Sequence, residues 1–248
     1  MTELVYGKNP VREALRAGRR TTRILLAATV SRSVEQEFLA LAAAHGVRIE
    51  RLTVAELTRM AQTSKHQGVA AEVEPFAYAR VQDILGRATE RQEPPLVVLL
   101  DGVEDPHNLG AIVRTAEGAG AHGVIIPRDR AVGVTPIAEK AAAGAATLLP
   151  IALVTNLART MNELKEKGLW LCGATENAPR CYTEVDLTGP IGLVLGSEGR
   201  GLRRLTREKC DFLIRIPMHG KISSLNVSVA AGVLLFEARR QRLLRGTR

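Results

Sequence analysis

From Leu96 onward the chain alternates unbroken aliphatic runs with stretches of helical periodicity, and that alternation leaves few folds open. The runs Leu96–Asp101, Gly123–Pro127, Leu148–Ala152, Leu169–Ala174, Ile191–Leu195 and Phe212–Ile216 read as strands, and helices are expected near 109–119, 136–146, 156–167, 202–208 and 224–241. Continuous Val/Leu/Ile strands separated by helices predict a parallel sheet covered on both faces, an α/β fold. In the last helix Leu225, Val229, Val233 and Phe236 fall on one stripe, which predicts packing of that stripe on the sheet.

The first 76 residues read as a separate, smaller α/β unit. Asn9-Pro10 is a helix start, with a capping residue before a proline. Thr22–Ala28, Val47–Leu52 and Gly68–Glu74 are strand-like, Ser33–His45 is helical, and Thr53 with Glu56 has the spacing of a capping box opening a short helix. The Pro94-Pro95 step suits neither a helix interior nor a central strand, so a boundary falls before Leu96. The expected division is therefore 1–76, a linker over 77–94, and 95–248.

Charge is distributed unevenly. Of the net +8, all is carried by residues 196–248, where twelve Lys or Arg face four Asp or Glu; the rest of the chain balances at 22 against 22. A basic final stretch points to a polyanion partner. Aromatics at 3% argue against an open base-stacking platform. No apolar run approaches the roughly 18–20 residues of a membrane span, and the first residues lack a signal-peptide pattern. Cys172, Cys181 and Cys210 have neither disulfide-framework nor zinc-site spacing, and the five histidines form no metal cluster. A cytoplasmic protein without membrane or metal is the expectation.

Three segments of the second unit stand out, each after the carboxyl end of an expected strand, where open α/β sheets bind ligands. They are Asn108-Leu-Gly-Ala-Ile-Val-Arg114, then Gly196-Ser-Glu-Gly-Arg-Gly-Leu202, then Ile216-Pro-Met-His-Gly220 running into Ser224-Leu-Asn226-Val-Ser228. Arg114 stands on the helix after Asn108 and is expected to point back to the same crevice, the alternative being a surface pair with Glu117. Glycines around Glu198 allow close approach of backbone to a ligand. Ser224 suits a helix cap, and Asn226 is expected inside the first helical turn with a polar role toward substrate or cofactor. A fourth segment, Gly118-Ala-Gly120-Ala-His-Gly123, matches a dinucleotide-binding fingerprint but ends a helix instead of opening one, so a nicotinamide enzyme is excluded.

The three segments, in this order and spacing, resemble the motifs of the SpoU (TrmH-like) 2′-O-ribose methyltransferases of the SPOUT superfamily. The catalytic resemblance covers about residues 95–248. Residues 4–76 resemble the L30e-like substrate-binding domain of the larger members, a layout similar to those that methylate a guanosine ribose in 23S rRNA. The resemblance implies a trefoil knot in the C-terminal domain, a homodimer, an RNA substrate, and S-adenosylmethionine held by Thr175, Gly196, Ile216 and Leu225. It also implies a catalytic set of Asn108, Arg114, Glu198, Ser224 and Asn226. Within that set an arginine is effectively always protonated, so Arg114 is expected to bind phosphate and stabilise developing negative charge. Glu198 is the plausible base, direct or through water, and Asn108, Ser224 and Asn226 orient the nucleotide. The competing expectations are a tRNA ribose methyltransferase with the same chemistry and a non-catalytic RNA-binding assembly protein.

Overall fold

The computed structural model describes residues 2–16 and 18–246. The chain forms two compact units, one comprising the residues up to Ala77 together with Thr135–Lys140, the other Tyr78–Val134 with the residues from Ala141.

In the first unit the elements run β1 (Glu3–Tyr6), α1 (Lys8–Arg16), β2 (Thr21–Ala27), α2 (Arg32–His45), β3 (Arg48–Leu52), α3 (Val54–Ala61) and β4 (Val69–Val73). The sheet order is β1-β4-β2-β3, antiparallel except for the β2–β3 pair. Alternation along β2 sends Ile24 and Leu26 into a core with Phe38 and Leu15, and Leu25 and Ala27 to the other face against Leu57. The Thr53 capping box forms in full: Glu56 N–H donates to Thr53 Oγ1, and Thr53 N–H donates to Glu56 Oε2. The strand β1 was not expected; four residues at a sheet edge carry too little alternation to be read from sequence.

The rest of the chain, which is the second unit apart from Pro136–Lys140 of α6, runs α4 (Val81–Glu90), β5 (Leu96–Asp101), α5 (Pro106–Gly118), β6 (Gly123–Pro127), α6 (Pro136–Ala142), α7 (Ala145–Leu148), β7 (Ile151–Val154), α8 (Leu157–Glu166), β8 (Trp170–Ala174), β9 (Arg180–Cys181), β10 (Ile191–Gly196), α9 (Arg204–Lys209), β11 (Phe212–Arg215) and α10 (Val227–Gly246). Its seven strands lie in the order β7-β6-β5-β10-β8-β11-β9, and all six pairings are parallel. From β5 the chain moves outward to β7, then crosses through α8 to β8 and returns to place β10 beside β5. The topological switch point, where such sheets bind ligands, therefore lies between β5 and β10.

Four differences from the sequence reading have physical causes. The stretch 77–94 contains α4, whose Ile84 and Ala88 are fully buried, so it is not simply a linker. The helix expected over 136–146 breaks at Ala143 and Gly144, both at positive φ. Leu148 then ends α7 and is exposed, and strand β7 begins only after Pro150. Finally, the stripe of α10 that packs inward is Val227, Ala231, Leu234, Leu235 and Ala238, whereas Val229 and Phe236 are 51% and 54% exposed. Two apolar stripes share this helix, and periodicity alone cannot say which faces the sheet.

Arg242 fastens the far end of α10. Its guanidinium donates to the carbonyls of Pro94 (2.6 Å), Pro95 (3.0 Å), Gly189 (2.8 Å) and Leu187 (3.4 Å). Nearby, His122 is fully buried; its Nδ1 accepts the Leu96 N–H at 3.0 Å, and its Nε2 lies 3.5 Å from a Glu93 carboxylate oxygen.

Candidate active site at the carboxyl edge of the sheet

The carboxyl ends of β5 and β10 stand in register, Asp101 beside Gly196. Beyond Gly196 the chain closes a tight hairpin, with Ser197 N–H donating to the Gly201 carbonyl (3.2 Å) and Gly201 N–H to the Ser197 carbonyl (2.9 Å). A Cβ on Gly196 would lie 2.1 Å from the Gly201 carbonyl carbon and 2.4 Å from Leu202 N, so only glycine fits. Asp101, 1% exposed, holds the far side of this loop: its Oδ2 accepts the Arg203 N–H at 2.8 Å, and its Oδ1 lies 3.3 Å from the Arg203 guanidinium.

The third segment returns across the sheet from β11 to reach the same edge. Asn226 is the residue before α10 and caps it: its Oδ1 accepts the Ser228 N–H (2.9 Å) and hydroxyl (2.6 Å). Its amide nitrogen donates to Asn108 Oδ1 at 2.9 Å and to Glu198 Oε1. Val227 N–H, at the start of the 20-residue helix, also points to Glu198 Oε1 at 3.4 Å. Three residues separated by 118 and 28 positions thus converge, each from a different motif. Asn108 itself is buried in the first turn of α5, which starts with Asp105 accepting the His107 N–H at 2.8 Å and Pro106 at its first position.

Two cavities adjoin this cluster. One, of about 300 Å³, lies between the glycine hairpin, the end of β8 and the segment after β11. The other, of about 320 Å³, lies between Gly102–Asp105, Asn108 and the hairpin. Ser197, Glu198, Arg200 and Val227 line both.

All four residues expected at the cofactor, Thr175, Gly196, Ile216 and Leu225, line the first cavity, and so does Ser224. Asn108 and Glu198 line the second, and Asn226 joins them by hydrogen bonds. Two positions differ from expectation. Asn226 is a cap outside α10, not a residue of its first turn. Arg114 lines neither cavity; it is exposed on α5 and, among the described residues, makes neither a hydrogen bond nor an ion pair, with Glu117 or any other carboxylate. Met218, in the loop of the third motif, lines the first cavity as that motif suggests, whereas sequence reasoning missed Glu176 and Asn177 there and Gly102 and Glu104 in the second. Their positions just after β8 and β5 were the available signal.

The donor set suits a ligand with an apolar ring and a charged end. Leu195, Ile216, Leu225 and Val227 supply apolar wall, and Thr175, Asn177 and Ser224 polar groups. Nothing nearby suits a metal: among the described residues no three His, Cys, Asp or Glu side chains group as ligands. Burial pushes the Cys172 thiol up, and Cys210 to about 12, so neither supplies a thiolate at neutral pH.

A parallel sheet with two adjoining cavities at its switch point, divided by a carboxylate on a glycine hairpin, is the architecture of an α/β enzyme with two ligand chambers. The chain belongs to the SpoU rRNA methylase family, whose profile matches residues 95–236, and the profile for RNA 2′-O ribose methyltransferase substrate binding matches residues 4–79. It is 51% identical over 207 residues to the 23S rRNA (guanosine-2′-O-)-methyltransferase RlmB of Ralstonia nicotianae, covering 84% of this chain and 82% of that one. With RlmB of Pseudomonas putida it shares 45% over 244 residues, 97% of each chain. The SpoU methyltransferase AviRb of Streptomyces viridochromogenes, crystallised with AdoMet, superposes with a TM-score of 0.66 at 28% identity, over 98% of this chain and 91% of AviRb.

Proposed function

We propose that this protein transfers a methyl group from S-adenosylmethionine to the ribose 2′-hydroxyl of a guanosine in 23S rRNA. The observation that carries this reading is the shared wall: a donor and an acceptor cavity separated only by Ser197, Glu198, Arg200 and Val227. Thr175, Gly196, Ile216 and Leu225 hold the cofactor, which when bound supplies an electrophilic methyl on a sulfonium. The acceptor ribose enters beside Asn108. Glu198, fixed by Asn226 and Val227 N–H, receives the hydroxyl proton directly or through one water. Asn108, Ser224 and Asn226 orient the nucleotide. The relatives' names and the substrate-binding profile over 4–79 support the RNA target and an L30e-like role for the N-terminal domain. Residues 95–248 are read as the catalytic domain.

The test is tritiated methyl transfer to undermethylated 23S rRNA with mapping of the modified ribose. Label on one guanosine is expected, falling about 10²–10³-fold in Arg114→Ala, the size of effect seen when a charge-stabilising donor is lost. Label on tRNA instead would overturn the substrate, and no transfer with cofactor bound would overturn the enzyme reading.

The same reading includes a homodimer built on α10, a trefoil knot spanning Gly196–Asn226, and action in the cytoplasm. Val229, Phe236 and Leu243 form an exposed apolar stripe along α10, with Val233 half-buried between them. Helix α10 packs on α5, where Arg114 projects without a partner. A symmetric dimer through that stripe carries Arg114 toward the acceptor cavity of the second copy. The return of the chain from β11 to Asn226, beside Asn108 past the end of β5, supports a knotted path. No helix among the described residues is long and apolar enough to cross a membrane, and the three cysteines are free, which suits a reducing compartment.

Phe236→Asp with Val229→Asp is expected to sediment as a monomer without activity. Mixing inactive Arg114→Ala and Glu198→Gln chains, under conditions that exchange subunits, is expected to restore about a quarter of wild-type activity, since half the dimers then hold one intact site. No recovery would place Arg114 on the same chain's reaction.

A further inference from the structure

We propose that Arg128, Arg130 and Arg200 form a phosphate-binding rim that seats the RNA strand flanking the target nucleotide. This deepens the methyltransferase reading and rests on it for the identity of the strand.

The loop between β6 and α6 is held at four points. Arg128 N–H donates to the Val154 carbonyl (2.8 Å), Val132 N–H to the Val103 carbonyl (2.9 Å), and Val134 N–H to the Tyr78 hydroxyl (2.9 Å). The Arg203 guanidinium donates to the Arg130 carbonyl at 3.2 Å. Arg130 itself sits at φ 55°, the left-handed region, which a side chain as large as arginine adopts only when its surroundings impose it. The fastened loop therefore displays Arg128 and Arg130 in a fixed place, not on a mobile tip.

The backbone of Arg130, two residues beyond Arg128 on this loop, lies beside the acceptor cavity. Gly102 lines the cavity, and a Cβ there would lie 3.5 Å from the Arg130 carbonyl oxygen and 2.9 Å from Arg203 Nη2. Arg200 lines the same cavity from the hairpin side. The loop and the hairpin are joined by the Arg203 side chain, which is itself committed to Asp101 and Arg130.

Some exposed arginines at or near helices are neutralised within a turn: Arg80 by Asp83, Arg159 by Glu163, Arg204 by Glu208, Arg240 by Glu237. Arg128, Arg130 and Arg200 are exposed, and among the described residues their side chains have neither hydrogen-bond nor ion-pair partners. Asp129, which lies between two of them in the sequence and is exposed, makes no ion pair or hydrogen bond with either, while Asp105 caps α5 and Glu198 is held by Asn226. Three unneutralised guanidinium groups beside a nucleoside-sized cavity suit phosphodiester oxygens, which they bind through paired N–H donors.

The test measures binding of in vitro-transcribed 23S rRNA across a salt series for wild type, for Arg128→Gln with Arg130→Asn, for Arg130→Lys, and for Arg200→Gln. Asparagine tolerates the left-handed backbone, and melting temperature and S-adenosylmethionine affinity serve as controls expected to stay unchanged in the Arg128 and Arg130 variants; Arg200 also lines the cofactor cavity, so Arg200→Gln is judged by its salt slope. The double variant is expected to weaken RNA binding about tenfold or more and to flatten the slope of log K against log salt by about 0.7–0.9 per lost contact. Arg130→Lys is expected to retain the slope. With saturating RNA, methyl transfer by the double variant should recover, a KM effect without a kcat effect. Unchanged affinity and slope in the double variant and in Arg200→Gln would overturn the rim. A wild type that binds RNA through these arginines but transfers no methyl would sink the methyltransferase reading and keep the rim; one that neither binds nor methylates would sink both.

Discussion

Gly196→Ala is expected to destabilise the protein by about 3–5 kcal/mol and to remove measurable S-adenosylmethionine binding. The added methyl would occupy space 2.1 Å from a carbonyl carbon and 2.3 Å from its oxygen, and both belong to the hairpin backbone. A side chain could rotate away; this backbone is held by the two hydrogen bonds between Ser197 and Gly201 and by Asp101 on Arg203 N–H. The hairpin must open, and with it goes the wall shared by both cavities. Gly199→Ala is the control: nothing lies within 4 Å, and only its φ of +76° resists, at about 1–2 kcal/mol. Urea denaturation with calorimetric titration of the cofactor checks both. An alanine at 196 that melts with the wild type and still binds cofactor would mean that the hairpin is not closed as described.

The second large effect is in pH. Burial holds the His122 imidazole down at about 4, against the weaker opposing pull of Glu93. The unfolded chain binds that proton near the ordinary value of about 6.5, so between about pH 4 and 6.5 the unfolded state carries more protons. Stability from this group is therefore fully present above about 6.5 and lost as pH falls toward 4, a contribution of order 3 kcal/mol. His122→Gln, whose side-chain carbonyl can still accept the Leu96 N–H, is expected to flatten this part of the stability–pH curve. Equal slopes for the two proteins between pH 4.5 and 6.5, measured by urea titration (about two pH units where only a histidine shifts this far), would refute it. The carboxylates held down by arginine or hydroxyl partners, such as Glu72 and Asp186, titrate below this window and are common to both proteins.

Much of this architecture was legible in the sequence because burial on both faces leaves a simple record. Strands β5 and β6 have the expected bounds, since every residue of each is enclosed. The elements that escaped are those whose stabilisation comes from elsewhere. Strand β9 has two residues and exists only as an addition to β11, and α4 depends on Ile84 reaching the core near β6. At the site, Asn108, Glu198 and Asn226 suit ordinary turns and caps by type, and were singled out by their places in three motifs that together resemble those of the SpoU enzymes. Their mutual hydrogen bonds were not readable, because contacts across 118 residues leave no periodic trace. Asn226 shows the limit well: its amide serves two motifs while its oxygen caps a helix, and the sequence displays only the residue. The two faces of α10 were inverted for a related reason, since both are apolar and only the sheet decides which is inside.

The clamp of Arg242 gives the protein a temporal order. Pro94 and Pro95, which lead into strand β5, leave the ribosome 148 and 147 residues before the arginine that grips their carbonyls. Strand β10 and its hairpin follow, but Glu198 has no Asn226 to fix it until β11 has been made and the chain has come back across the sheet. A nascent chain therefore lacks a finished cofactor chamber at every length short of α10. Pairings so distant in sequence form slowly, which makes maturation of the site, and not synthesis of its residues, the step that sets when a new molecule becomes competent.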